Sequence, residues 1–218
     1  MSTSRPGSLL RRPFEYRQYN ISIILIAANV LVFLLNYMAP ETRIEMSLVS
    51  PAVPVEYAHT AFWQLLTYMF VHAGFSHIFF NMLGLFFFGI QVERRVGSSE
   101  FLLFYLVTGV GAGLVSLLIF WLTGTPTILL GASGAVFGVL LAFATFFPTA
   151  MIYVFGIIPV RAPLLVLVYT GIELFSQLTG ARSGVAHLTH LAGFAVAYLY
   201  LIVRFGLNPI RVFLGSRR

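Results

Sequence analysis

Cysteine, aspartate and lysine are all absent from this 218-residue chain, and glutamate occurs only seven times. Without cysteine there is no disulfide framework, no thiolate nucleophile and no Cys-ligated metal site. Charge of either sign is scarce. Charged residues make up 9% of the chain, against roughly 25% in soluble domains. Hydrophobic residues make up 59%, and mean hydropathy is +0.91. Seven glutamates and thirteen arginines cannot clothe a core of this size in a polar surface, so most of the surface must face lipid. The net charge of +6 does not indicate a nucleic-acid partner, because the arginines are scattered between apolar runs instead of gathered on one face.

What the chain has in abundance is apolar runs. A spanning helix needs about 20 mostly apolar residues, and the sequence predicts six such segments, at about 21–38, 76–92, 101–122, 133–147, 162–178 and 187–205. The fold class expected is therefore all-α, a polytopic six-helix membrane bundle. The first segment has the look of a secretory signal but lacks a small-residue cleavage site, so it reads as a retained anchor. An even number of spans places both ends on one side. Arg5, Arg11, Arg12, Arg17, Arg94, Arg95, Arg161, Arg204, Arg211, Arg217 and Arg218 fall on that side, against Arg43 and Arg182 on the other, so the termini are expected in the cytoplasm. The connection from about 39 to 75 is then external. Its Pro40, Pro51 and Pro54, with Phe62 and Trp63, predict a partly helical loop at the interface.

The fourth segment differs from the others. It follows Gly124, Pro126 and Gly131, starts at Ser133 and stops before Pro148. Its length is roughly 22 Å, short of a hydrocarbon core of roughly 30 Å, so its upper end is expected inside the membrane. Irregular backbone at that depth is tolerated only where it is buried in protein or lines a wet cavity. Two other helices bring polar groups to the same level: His77 and Asn81 on the second, which share a face, and His190 on the sixth. Small-residue stripes, Gly134 with Gly138 and Gly193 with Ala197, would let the fourth and sixth helices touch and bring Ser133 to His190.

A serine, a histidine and oxyanion donors suit acyl transfer. With no aspartate, and no glutamate evident beside the site in sequence or depth, a Ser133–His190 dyad is expected, with Phe137 one turn below Ser133 packing on the imidazole in place of a carboxylate. His77, Asn81 and the backbone N–H of Ser133 are the expected oxyanion donors.

These residues resemble the rhomboid proteases. The resemblance rests on Gly131-Ala132-Ser133-Gly134, on the run His72, His77, Asn81, and on His190-Leu191-Ala192-Gly193 in the last span, in the family's order and over nearly the whole chain. It implies Ser133 as nucleophile, His190 as base, His77 and Asn81 as oxyanion ligands, His72 and Gly131 as supporting residues, and Glu93, in Glu93-Arg94-Arg95, as a structural hydrogen-bonding residue. Phe137 stands where many members have Tyr, Trp63-Gln64 where Trp-Arg is common, and Ala197 where many have Gly. None of these removes a catalytic group, but the loop change bears on how the external segment packs.

Blander readings exist for each residue. Ser133 could simply cap its helix, and His77 with Asn81 could be a polar clamp between helices. His187 and His190 could join His72 or His77 on a metal, but no His-Glu-x-x-His pattern is present and no metal is assigned. His187 reads as an interface residue and His59 as a loop residue. Glu173 reads as lying near the outer end of the fifth helix, accessible to the same cavity or interface, with no catalytic role, and Gly109 and Gly113 as packing contacts. A nucleophile elbow is excluded, since Ala135 stands where that motif needs Gly.

The expected organisation is a cytoplasmic tail over 1–20, the six-helix domain over 21–206 and a second tail over 207–218. The expected function is intramembrane serine endopeptidase, without cofactor, acting on single-span membrane proteins in a lipid bilayer, most simply a bacterial inner membrane. By resemblance the fifth helix is the gate for substrate. The alternatives are a proteolytically inactive rhomboid-like protein that binds membrane clients, and a small transporter; the latter would call for internal repeats, which the sequence lacks.

Overall fold

The computed structural model describes residues 11, 14–54, 59–154, 156–179 and 184–215. Arg5, Arg12, Arg182, Arg217 and Arg218, and parts of both expected tails, lie outside the described residues. Among the described residues, five helices are long and apolar enough to cross a membrane: α1 (Ile21–Met38), α2 (Phe75–Val96), α3 (Ser98–Leu122), α5 (Ala162–Thr179) and α6 (His187–Phe205). Between them α4 (Ser133–Phe146) is apolar but shorter. Six helices thus lie where the apolar runs place them.

Burial ranks these helices. Eleven of the fourteen residues of α4 are buried, whereas α1 and α5 each bury four of eighteen. A helix apolar on every face belongs in the middle of a bundle, and α4 sits there, packed on α3 and α6. Small residues make the closest contact possible. A Cβ on Gly193 would lie 2.1 Å from the Gly134 carbonyl oxygen, and one on Gly138 would lie 2.3 Å from Thr108 and 3.1 Å from Ala197.

Polar side chains fix the helix ends. The N-terminus of α1 follows Asn20, which makes no side-chain cap, and the Glu93 carboxylate of α2 caps it instead. It accepts from the N–H groups of Ile21 (2.7 Å) and Ser22 (2.8 Å) and from the hydroxyls of Ser22 (2.7 Å) and Ser98 (2.5 Å), so otherwise orphaned donors are satisfied across the fold. At the same end of the bundle Glu100, 2% exposed, accepts from Tyr200 Oη at 2.6 Å and from Arg204 at 2.8 and 2.7 Å, joining α3 to α6.

The segment before α2 folds into short helical pieces, Glu41–Met46, Gln64–Thr67 and a 3-10 turn at Tyr68–Phe70. Gln64 organises it: buried, it accepts from the N–H groups of Val49 and Ala61 and donates to the carbonyls of Glu45 and His59. Tyr68 and Met69 lodge against Gly113 and Gly109 of α3, with Tyr68 Oη donating to Gly109 O at 2.6 Å. Those two glycines therefore seat the segment before α2. Strand β1 (Leu48–Val49) pairs antiparallel with β2 (Ile128–Leu129), and Gly131 N donates to Tyr68 O at 2.8 Å. The irregular backbone ahead of Ser133 is thus hydrogen-bonded to protein, as its depth requires. A second antiparallel pair, β3 (Met151–Val154) and β4 (Ile158–Arg161), links α4 to α5.

Candidate active site

Ser133 opens α4 and His190 lies within α6, and their contact follows from the glycine seam beside them. Ser133 Oγ and His190 Nε2 are 2.8 Å apart. The hydroxyl does not cap its own helix, since the capping position is Ala132 and carries no side-chain bond. Phe137 stacks on the His190 ring at a centroid distance of 4.1 Å with 9° between the planes, and Phe194 and Tyr169 meet Phe137 edge-on. Ser133, His77 and His190 are only partly buried, so the pair is reachable from outside the protein.

His77 faces the same point. Gly131 has φ +117°, and a Cβ there would lie 2.7 Å from His77 Nε2 and 3.8 Å from Ser133 Oγ. Glycine is therefore required twice, for the backbone and for the ring. His77 Nδ1 accepts from the Ala73 N–H at 3.3 Å, which leaves the proton on Nε2. Asn81 is buried, and its amide donates to His77 O at 2.9 Å. His72 packs edge-on against His77 at 5.0 Å and hydrogen-bonds Phe70 O through Nδ1. Burial, with His77 nearby as the second cause, pushes its pKa down to about 4. Glu93 lies apart from this cluster, at the α1 cap. His59 contributes its carbonyl to Gln64.

A rhomboid domain model matches residues 59–207, which is more than half of the chain. The chain belongs to the rhomboid family. Similar proteins include RHOMBOID-like protein 4 of Arabidopsis thaliana, 35% identical over 63% of this chain and 32% of that protein. Rhomboid protease GluP of Bacillus subtilis (strain 168) is 34% identical over 58% of this chain and 24% of its own. Rhomboid-like protein 11, chloroplastic, of Arabidopsis thaliana is 44% identical over 36% and 27%. The matching segments thus span less than half the length of each relative.

In this rhomboid the expectation that no glutamate adjoins His190 fails. Glu173, 6% exposed, reaches from α5 to place Oε1 3.0 Å from His190 Nδ1 and Oε2 2.5 Å from His187 Nδ1. His187 is accordingly bonded within the protein instead of resting at an interface. Glu173 lies six positions before the end of α5 at Thr179, and His190 six after Gly184, where the helical stretch leading into α6 begins. Consecutive neighbouring helices bring such positions to one level. The sequence puts Glu173 near the outer end of the fifth helix but gives neither its match in depth to His190 nor its aim at that ring. Two signals pointed to it: a lone acid in an apolar span and histidines three apart on the next helix.

Among the described residues, Glu173, His187 and His190 form the group that could hold a metal ion, with ligand atoms within 4.8 Å of one another. His72 and His77 are not part of it. Within that group the Glu173 carboxylate contacts Nδ1 of both histidines.

Proposed function

We propose that this rhomboid is an intramembrane serine endopeptidase in which Ser133 attacks the scissile carbonyl and His190 is the base. The 2.8 Å contact between Ser133 Oγ and His190 Nε2 carries this reading. Nε2 takes the hydroxyl proton as Oγ bonds to the carbonyl carbon, then returns it to the leaving amine nitrogen; water repeats the sequence on the acyl-enzyme. The developing oxyanion is met by His77 Nε2–H, the Asn81 amide and the Ser133 N–H at the start of α4, where helix amides are unpaired. Phe137 holds the imidazole plane from one face. His72 and Gly131 support His77, and Glu93 supports the fold. No cofactor enters the reaction.

The substrate class in this reading is a single-span membrane protein whose helix unwinds near the pocket, because a helical peptide bond is shielded by its own hydrogen bonds. The arginine distribution supports cytoplasmic termini and a pocket opening to the other side. The unit responsible is the six-helix domain over 21–206. The test is cleavage of a single-span reporter by the purified protein beside Ser133→Ala and His190→Ala. Loss in both, with monodisperse protein, is the expected result, and full cleavage by Ser133→Ala refutes the proposal.

A further inference from the structure

Glu173 is left without a task by the dyad. It is one of four buried residues on a helix that otherwise presents Leu164, Leu167, Ile172 and Phe175 outward. An acid within a span is costly, and its inward aim needs a cause. The cause is visible in the proton inventory of His190. For Nε2 to accept from Ser133, the ring proton must sit on Nδ1. That Nδ1 is buried and has no well-aligned hydrogen bond at rest, while Glu173 Oε1 lies 3.0 Å away. A buried N–H requires an acceptor. Phe137 covers one face of the ring and leaves its edge, with Nδ1, to the carboxylate.

We propose that Glu173 is a positioning residue for His190, so that a carboxylate on α5, an imidazole on α6 and a hydroxyl on α4 form one relay. Glu173 holds the proton on Nδ1 before attack and lies against the imidazolium after Nε2 has taken the Ser133 proton. It stays ionised throughout, and the transferred proton leaves on the amine product. His187, on the second carboxylate oxygen, keeps the acid turned inward. The inference rests on the dyad reading.

The experiment uses the full chain in detergent or liposomes with a single-span reporter. Glu173→Ala is expected to lower kcat by at least about tenfold, with KM within about twofold of the parent. Glu173→Gln, whose side-chain oxygen still accepts from Nδ1, is expected to retain more activity than Glu173→Ala. The rate of Ser133 modification by a fluorophosphonate should fall in step with kcat. An unchanged kcat in both variants, or a change confined to KM, overturns the proposal. If Glu173→Ala aggregates, Glu173→Gln decides alone: a lowered kcat supports the role and an unchanged one overturns it. Cleavage that survives Ser133→Ala sinks the dyad itself. Cleavage lost in Ser133→Ala but intact in both Glu173 variants sinks only the role of the acid.

Discussion

At the scale of single residues, the site depends on what two small or flat groups permit. Gly131 gives its backbone a positive φ and leaves room for the His77 ring, so Gly131→Ala places a methyl 2.7 Å from an imidazole that cannot move without leaving Ser133. Cleavage by Gly131→Ala should fall by about 100-fold, the order of losing an oxyanion donor, measured as kcat with the reporter. Phe137 stacks as a parallel ring on one face of His190. Phe137→Leu should lower kcat several-fold, and Phe137→Tyr should not, because the ring face is retained. A Leu variant with parental kcat would show that the stack is incidental. Sequence spacing placed Phe137 beside His190, since positions four apart share a helix face. It could not place Glu173, because facing between helices depends on how α5 rotates about its axis.

At the scale of elements, the seam between α4 and α6 sets the distance between Ser133 and His190. A methyl on Gly193 would lie 2.1 Å from Gly134 O, and backbone does not yield, so Gly193→Ala must part the helices. It should cost several kcal/mol, the range of overpacking (about 1–3 kcal/mol) or more, and should slow cleavage by more than the lost stability explains. Gly171→Ala on α5 is the control, since nothing lies within 4 Å of its Cβ; its melting temperature should hold or rise. Equal behaviour of the two variants would remove the seam from the account. A second joint is the Glu100–Arg204 pair, 3% and 14% exposed. Arg204→Ala should destabilise by roughly 3–5 kcal/mol because it strands a buried carboxylate, measured by thermal unfolding in detergent. The spans themselves were legible in the sequence to within a few residues, because apolar length is a local property. The pairing of β1 with β2 and the joint at Glu100 were not, because both join segments distant in the chain.

For the whole molecule, pH and chemistry offer separate tests. His72 is neutral and buried in the fold with a pKa of about 4, below its ordinary 6.5. The unfolded chain therefore binds the extra proton between those values, so the contribution of His72 is fully present above pH 6.5 and is lost as pH falls from 6.5 to 4. Thermal stability should drop across that window by an amount corresponding to about 3 kcal/mol, and His72→Gln should flatten the drop; an unaltered slope in that variant assigns the acid sensitivity elsewhere. The claim on which the rest depends is that one serine among several is activated by one imidazole. Fluorophosphonate treatment of the intact protein followed by peptide mass mapping tests this most directly. The adduct should fall on Ser133, spare Ser76, Ser116 and Ser176, and vanish in His190→Ala. An adduct on another serine, or one on Ser133 that forms equally fast without His190, contradicts it.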